Sequence, residues 1–327
     1  MRSPALNMIP DFRPHPMLRG GHLQTIWSAL LNESHDKYCA EQWRISLNDD
    51  EQLVLHDDCP ETWQPGMPVV LLLHGLGGSY ASSYMVRITE KLFVRGIRVF
   101  RMDMRGCGAG DELAYSPGHA GRSEDVRLCI ERIHRLCPDS PLRIAGFSMG
   151  GNLLLKMLGE NLHAAGSVTS AFAVSPPIDL CICSDNLRRY PLYDYAFRSS
   201  LFRQIRTRRV RVPQLRSINL DPLPRTIREF DDRITAPLSG FADATDYYRQ
   251  TSSVHLLTNI NVPTTILVAD DDPLIPVHMF DRPDLPDCVR VIRTRHGGHL
   301  GFISAQGSDP DRRWLDWRVV DWACEGL

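Results

Sequence analysis

The sequence contains no run approaching the ~18 consecutive apolar residues that a membrane-spanning helix requires, so no segment is expected to cross a bilayer. Its amino terminus, MRSPALNMIPDFRPHPML, has an early proline and aspartate where a secretory signal would have an apolar core. An excess of one charge is also lacking. The 37 Lys and Arg against 39 Asp and Glu leave a formal charge of −2, which offers a polyanion no general attraction. The nine cysteines follow no regular spacing and one must stay unpaired, so free thiols are expected in place of a disulfide framework. These absences point to a cytoplasmic protein without a nucleic-acid partner.

Metal-ligand spacing is missing as well. Cys181 and Cys183 form a C-x-C with no second pair nearby, and buried thiols at a strand end are the expectation. His296 and His299 lack the i, i+4 helical spacing that aims two rings at one zinc. No metal and no cofactor are therefore expected.

The 327 residues, 43% hydrophobic, suffice for a large core. Short apolar runs recur: PVVLLLHG (68–75), IRVFRMD (97–103), LRIAGFS (142–148), AFAVSPP (171–177), TTILVADDD (264–272) and VRVIRTRHGG (289–298). Their continuous hydrophobicity predicts strands buried on both faces, hence a mainly parallel sheet flanked by helices. Met85, Ile88, Leu92 and Phe93, and likewise Val126, Ile130, Ile133 and Leu136, fall at helical spacing and predict crossover helices. EQWRISLND and EQLVLHDDC, around Asp49-Asp50, predict an antiparallel hairpin at the sheet edge. Trp314, Trp317 and Val320 predict one apolar face of a closing helix.

The alternation breaks between Pro177 and Val262, roughly 85 residues where a dozen would connect two parallel strands. This predicts an insertion. Its first half carries seven arginines and no acid from Arg198 to Arg216, read as a charged, solvated helix face. Residues 1–40 form an amino-terminal extension packing on the core, 41–177 and 262–327 the core, and 178–261 the insertion. In the extension, Leu23, Ile26, Trp27 and Leu30 share one helical face; docking on the core is expected, with peripheral membrane contact as the alternative.

Gly146-Phe147-Ser148-Met149-Gly150 satisfies G-x-S-x-G between a predicted strand and helix, the turn that lifts a serine Oγ above a sheet. A serine hydroxyl needs a base, and the base an orienting carboxylate. On such a sheet the order is serine, acid, histidine. LVADDDPLIP supplies Asp272, with Asp271 the competitor, and RHGGHLGF supplies His299. Backbone N–H groups of Met149, after the serine, and Leu76, in HGLGG, are the expected oxyanion donors.

The stretches RPHPMLRGGHLQTIW, MRGCGAGDE, HAGRSED, GFSMGGNLLLK, REFDDRITAPLSGFADATDYY, ADDDPLIP and HGGHLGF resemble the α/β-hydrolase superfamily, and within it the YheT-like branch or AB hydrolase 4 family. The resemblance runs from about residue 12 to 303. It implies an α/β-hydrolase fold with an inserted helical cap, and it puts the charge-relay serine, aspartate and histidine on Ser148, Asp272 and His299. It further implies a serine esterase acting on short-chain carboxylic esters, with acylglycerol and phospholipid lipase activity in membrane-anchored eukaryotic members. The expected partner is thus a small ester or lipid substrate. An acyltransferase using the same acyl-enzyme, and a non-catalytic binding protein on this fold, are the alternatives. Oligomeric state has no sequence signal.

Overall fold

The computed structural model describes residues 10–30, 40–47, 50–162 and 167–326. Asn48 and Asp49 of the predicted hairpin and residues 1–9 and 31–39 of the predicted extension lie outside them.

The six apolar runs form β3 (Val69–Leu73), β4 (Arg98–Asp103), β5 (Leu142–Phe147), β6 (Val168–Val174), β7 (Thr264–Ala269) and β8 (Val289–Thr294). With β1 (Glu41–Ser46) and β2 (Gln52–Asp58) they make one eight-stranded sheet in the order β1-β2-β4-β3-β5-β6-β7-β8. Strands β3 to β8 pair in parallel, while β1 pairs with β2, and β2 with β4, antiparallel. The predicted hairpin is therefore an edge addition.

In β3 all five residues are buried, because each face of the sheet is covered. Val69, Leu71 and Leu73 join the core cluster beneath α3 (Ser123–Leu136) and α4 (Met149–Gly159). Val70 and Leu72 point the other way, into the cluster of α2 (Ser83–Phe93) and α10 (Trp314–Ala323). The period of two thus splits one apolar run between two cores. Met85, Ile88 and Leu92 bury the inner face of α2, and Val126, Ile130 and Ile133 that of α3.

Between β6 and β7 the chain builds α5 (Leu180–Leu187), α6 (Pro191–Arg211), α7 (Ile227–Phe230), a π-helical turn at Asp231–Thr235, α8 (Ala236–Leu238) and α9 (Ala244–Thr251). On the arginine-rich α6, Arg203, Arg206 and Arg211 are exposed as expected, Arg198 and Arg209 are half-buried, and Arg208 is buried. Its buried guanidinium donates to the carbonyls of Asp111, Ala114 and Tyr115 and lies over Gly106, tying α6 to the loop after β4. The C-x-C also differs from expectation. Cys181 and Cys183 sit on α5, since Asp179 caps that helix by accepting from Ile182 N, which turns the chain helical directly after β6.

The helix α1 (Gly21–Leu30) corrects the predicted docking face. Leu23, Ile26, Trp27 and Leu30 are 44–71% exposed, and the contact surface is formed by Gly21, Gln24 and Thr25. Close approach decides this: a Cβ on Gly21 would stand 1.7 Å from Asp271 O. Gln24 donates to Leu18 O and Ile303 O and accepts from Ile303 N, so a buried polar clamp replaces the apolar contact. Among the described residues no helix is long and apolar enough to cross a membrane.

Two buried histidines set a pH dependence. Burial holds His74 below its ordinary pKa, and burial with the nearby Arg122, Arg105 and Lys156 holds His119 well below it. Both are neutral in the fold, whereas the unfolded chain protonates them below about pH 6.5, so stability is present above that pH and is lost as pH falls. Between pH 7.5 and 5.5 the melting temperature should drop, and His119→Gln should make the drop shallower; an equally steep decline in the variant would rule out His119 as a contributor.

Candidate active site

Every expected site residue lies at the carboxyl end of a parallel strand: Leu76 after β3, Ser148 after β5, Asp272 after β7 and His299 after β8. β3 is flanked by β4 and β5, so successive crossovers leave it in opposite directions and open a crevice there.

Ser148 has φ 50° and ψ −120°, a conformation rarely held by a non-glycine residue. The flanking glycines permit it. A Cβ on Gly150 would stand 2.4 Å from Leu73 O, and one on Gly146 would stand 2.4 Å from Gly150 O. The sharp turn starts α4 immediately after the serine and aims the helix amino terminus at the crevice.

Ser148 Oγ lies 2.9 Å from His299 Nε2, and His299 Nδ1 lies 2.9 Å from Asp272 Oδ2. A carboxylate can only accept from Nδ1–H, which leaves Nε2 free to accept the serine proton. Asp272 is itself held by Leu274 N and Ile275 N, which both donate to Oδ1. Its neighbour Asp271 is committed elsewhere: Oδ1 accepts from Gly298 N and Oδ2 lies 3.1 Å from His296 Nδ1. The two histidines of H-x-x-H thus diverge onto two different aspartates.

Leu76 and Met149 both border the pocket, and among the described residues their N–H groups donate to no other group. The Leu76 loop is fixed by His74, whose Nδ1 donates to Gly75 O and whose Nε2 accepts from Met104 N. Gly75 N donates to Tyr84 Oη, and burial pushes that hydroxyl up to about 12. A developing oxyanion between Leu76 N and Met149 N would meet two unused donors.

The pocket, a cavity of about 160 Å³, runs from Ser148 and His299 under the helices between β6 and β7. Leu187, Phe197, Ile205, Ile227, Phe230 and Ile234 give it a mainly apolar wall. Cys183 also borders it, yet burial, and then the adjacent Asp272 carboxylate, raise that thiol well above its ordinary pKa. It is a neutral thiol and offers no competing thiolate nucleophile.

Sequence reasoning missed the support behind His299. Thr25 Oγ1 accepts from His299 N at 2.9 Å and donates to Gly21 O at 2.7 Å. His22 of the same helix stacks on Tyr193 of α6, their Nδ1 and Oη 3.1 Å apart. α1 therefore bridges the histidine loop and the inserted helices. The signal available was the polar pair Gln24-Thr25 within an apolar helix, a pattern open to many structural explanations.

The sequence model for the α/β-hydrolase fold matches residues 68–306. The putative esterase YheT of Escherichia coli K12 is 32% identical over 95% of this chain and 92% of its own length. Mouse phospholipase ABHD3 is 30% identical over 72% of this chain, which spans 58% of that relative. Yeast monoacylglycerol lipase is 26% identical over 76% of this chain and 57% of its own. Among solved structures, the Pyrococcus furiosus esterase Pf2001 superposes with a TM-score of 0.55 at 15% identity over 88% of this chain and 89% of that one, a likeness of fold. A mostly parallel sheet carrying a strained G-x-S-x-G turn, matched along nearly its whole length by YheT, places the chain in the α/β-hydrolase superfamily, in its YheT-like branch.

Proposed function

We propose that the protein is a cofactor-independent serine hydrolase that cleaves carboxylic esters of the short-chain or acylglycerol type. The observation that carries this reading is the unbroken relay from Ser148 Oγ to His299 Nε2 and from His299 Nδ1 to Asp272, at 2.9 Å per step. His299 takes the serine proton as Oγ attacks the ester carbonyl, and the resulting oxyanion receives the N–H groups of Leu76 and Met149. The tetrahedral intermediate collapses to an acyl-enzyme, His299 returning its proton to the departing alcohol. Water then attacks the acyl carbon with His299 again as base, releasing the acid and restoring Ser148.

In this reading residues 178–261 act as a cap that encloses the acyl group and limits water, and α1 braces the histidine loop. The esterase and lipase names of the relatives favour an ester or lipid substrate. The test is hydrolysis of p-nitrophenyl esters from acetate to palmitate, with labelling of Ser148 by a fluorophosphonate. Turnover with a chain-length optimum supports the proposal. A folded protein that neither turns over the series nor takes the label would refute it.

Thr25 provides a test away from the reacting atoms. Thr25→Val keeps the shape but removes the acceptor for His299 N, and should lower kcat about 10- to 100-fold with KM less affected. Thr25→Ser should restore most of the rate. Equal kcat in the valine variant would remove Thr25 as a positioning residue.

A further inference from the structure

The stretch REFDDRITAPLSGFADATDYY, residues 228–248, takes no part in the proton relay, yet it folds into the pocket wall. It forms α7, the π-helical turn and α9, and two of its polar side chains face one another across the gap between turn and helix. Tyr248 Oη donates to Asp231 Oδ2 at 2.7 Å. π-helical turns are rare and occur frequently at functional sites. Asp231 lies deep in the protein but keeps accessible surface, and it borders the same cavity as Ser148.

Among the described residues no cation offsets this carboxyl. Burial pushes Asp231 up to about 6, the hydroxyls of Thr235 and Tyr248 pull against that, and Asp194 of α6 pushes it further upward. Across the recess, Ser184 of α5 also borders the cavity and is 7% exposed. Its Oγ approaches the Tyr248 hydroxyl without a well-formed hydrogen bond to any described group. A mainly apolar pocket thus holds one recess with a carboxyl acceptor and, beside the Tyr248 hydroxyl, a serine hydroxyl that makes no well-formed hydrogen bond among the described residues. Such groups are costly to bury unless something completes their hydrogen bonds.

We infer that the Asp231, Ser184 and Tyr248 recess binds a hydroxyl group of the substrate, Asp231 accepting its proton and Ser184 donating to its oxygen. Both a donor and an acceptor are present, which matches a hydroxyl, whereas the carboxyls of Asp231 and Asp194 oppose an anion. The substrate class is therefore a hydroxylated ester, the hydroxyl standing either on the acyl chain or on the leaving alcohol. This inference rests on the hydrolase reading above.

The experiment compares matched esters with the full-length enzyme: p-nitrophenyl octanoate against p-nitrophenyl 8-hydroxyoctanoate, and butyl butyrate against 4-hydroxybutyl butyrate. The hydroxylated member of one pair should be favoured about 10- to 100-fold in kcat/KM, because a site built for a hydroxyl rejects the analogue that lacks it. The first pair reports a hydroxyl on the acyl side and the second one on the alcohol side. Asp231→Leu should bring that ratio close to one, and the milder Ser184→Ala and Tyr248→Phe should each reduce it, so a poorly folding leucine variant does not decide the matter. Turnover of all four esters with ratios near one, or a preference that survives in all three variants, would overturn the recess and leave the hydrolase standing. Absence of turnover and of fluorophosphonate labelling would remove both.

Discussion

Ser148→Ala, purified as a folded protein, should lose about 10⁶-fold in kcat toward a p-nitrophenyl ester and all fluorophosphonate labelling. The expected loss is this large because the relay acts as a unit: without Oγ, the imidazole of His299 has no hydroxyl to activate and the two-step route through an acyl-enzyme closes. The Cys183 thiol at the same pocket is no substitute, since it is held neutral by burial and by Asp272. A residual rate about 10³-fold above that in water is expected from the Leu76 and Met149 donors and from binding alone. Wild-type protein should also release p-nitrophenol in a burst equal to the active sites, and the variant should not. Undiminished turnover in the alanine variant would end the assignment of Ser148 as nucleophile.

Asp272→Asn should cost about 10⁴-fold in kcat, through the tautomer of His299. The carboxylate fixes the proton on Nδ1, and an amide can instead present its NH₂ there, moving the proton to Nε2 where the serine proton must go. Leu274 N and Ile275 N would still find an acceptor, so the fold should persist. Asp271→Asn makes the comparison informative. Asp271 holds Gly298 N and His296, one step behind the histidine, so its loss should loosen the loop and cost no more than about tenfold. Equal effects at the two positions, or a larger one at Asp271, would reassign the acid.

Asp272 and Asp271 also mark where the sequence stopped deciding. The succession of strands along the chain, the glycines around Ser148 and the histidine after the last strand follow from local pattern. Continuous apolar runs require burial on both faces, and G-x-S-x-G between strand and helix permits one sharp turn. Which of two adjacent aspartates meets His299 depends on the direction each side chain takes as the chain leaves β7. That direction is fixed by Leu274 N and Ile275 N, which hold Asp272, and by Gly298 N, which holds Asp271 from 27 residues further on.

The amino-terminal helix shows the same limit from the other side. Its period correctly marks Leu23, Ile26, Trp27 and Leu30 as one face, yet Gly21, Gln24 and Thr25 make the contact, because Gly21 alone can approach Asp271 O. Periodicity reports which residues share a face, and the partner surface decides which face is used. The Asp231 recess is still further from local pattern, assembled from α5, the π-helical turn and α9 across the insertion.

The sequence by itself determined the mainly parallel sheet, the succession of its strands along the chain and the residue types at the carboxyl ends, since these depend on burial and turn chemistry within a few residues. Tertiary structure alone decided which carboxylate faces the histidine, which face of α1 docks, and which polar groups share a pocket. Those are contacts between segments as many as 279 residues apart, as from Gln24 to Ile303, and their geometry is written in the packing of the whole chain.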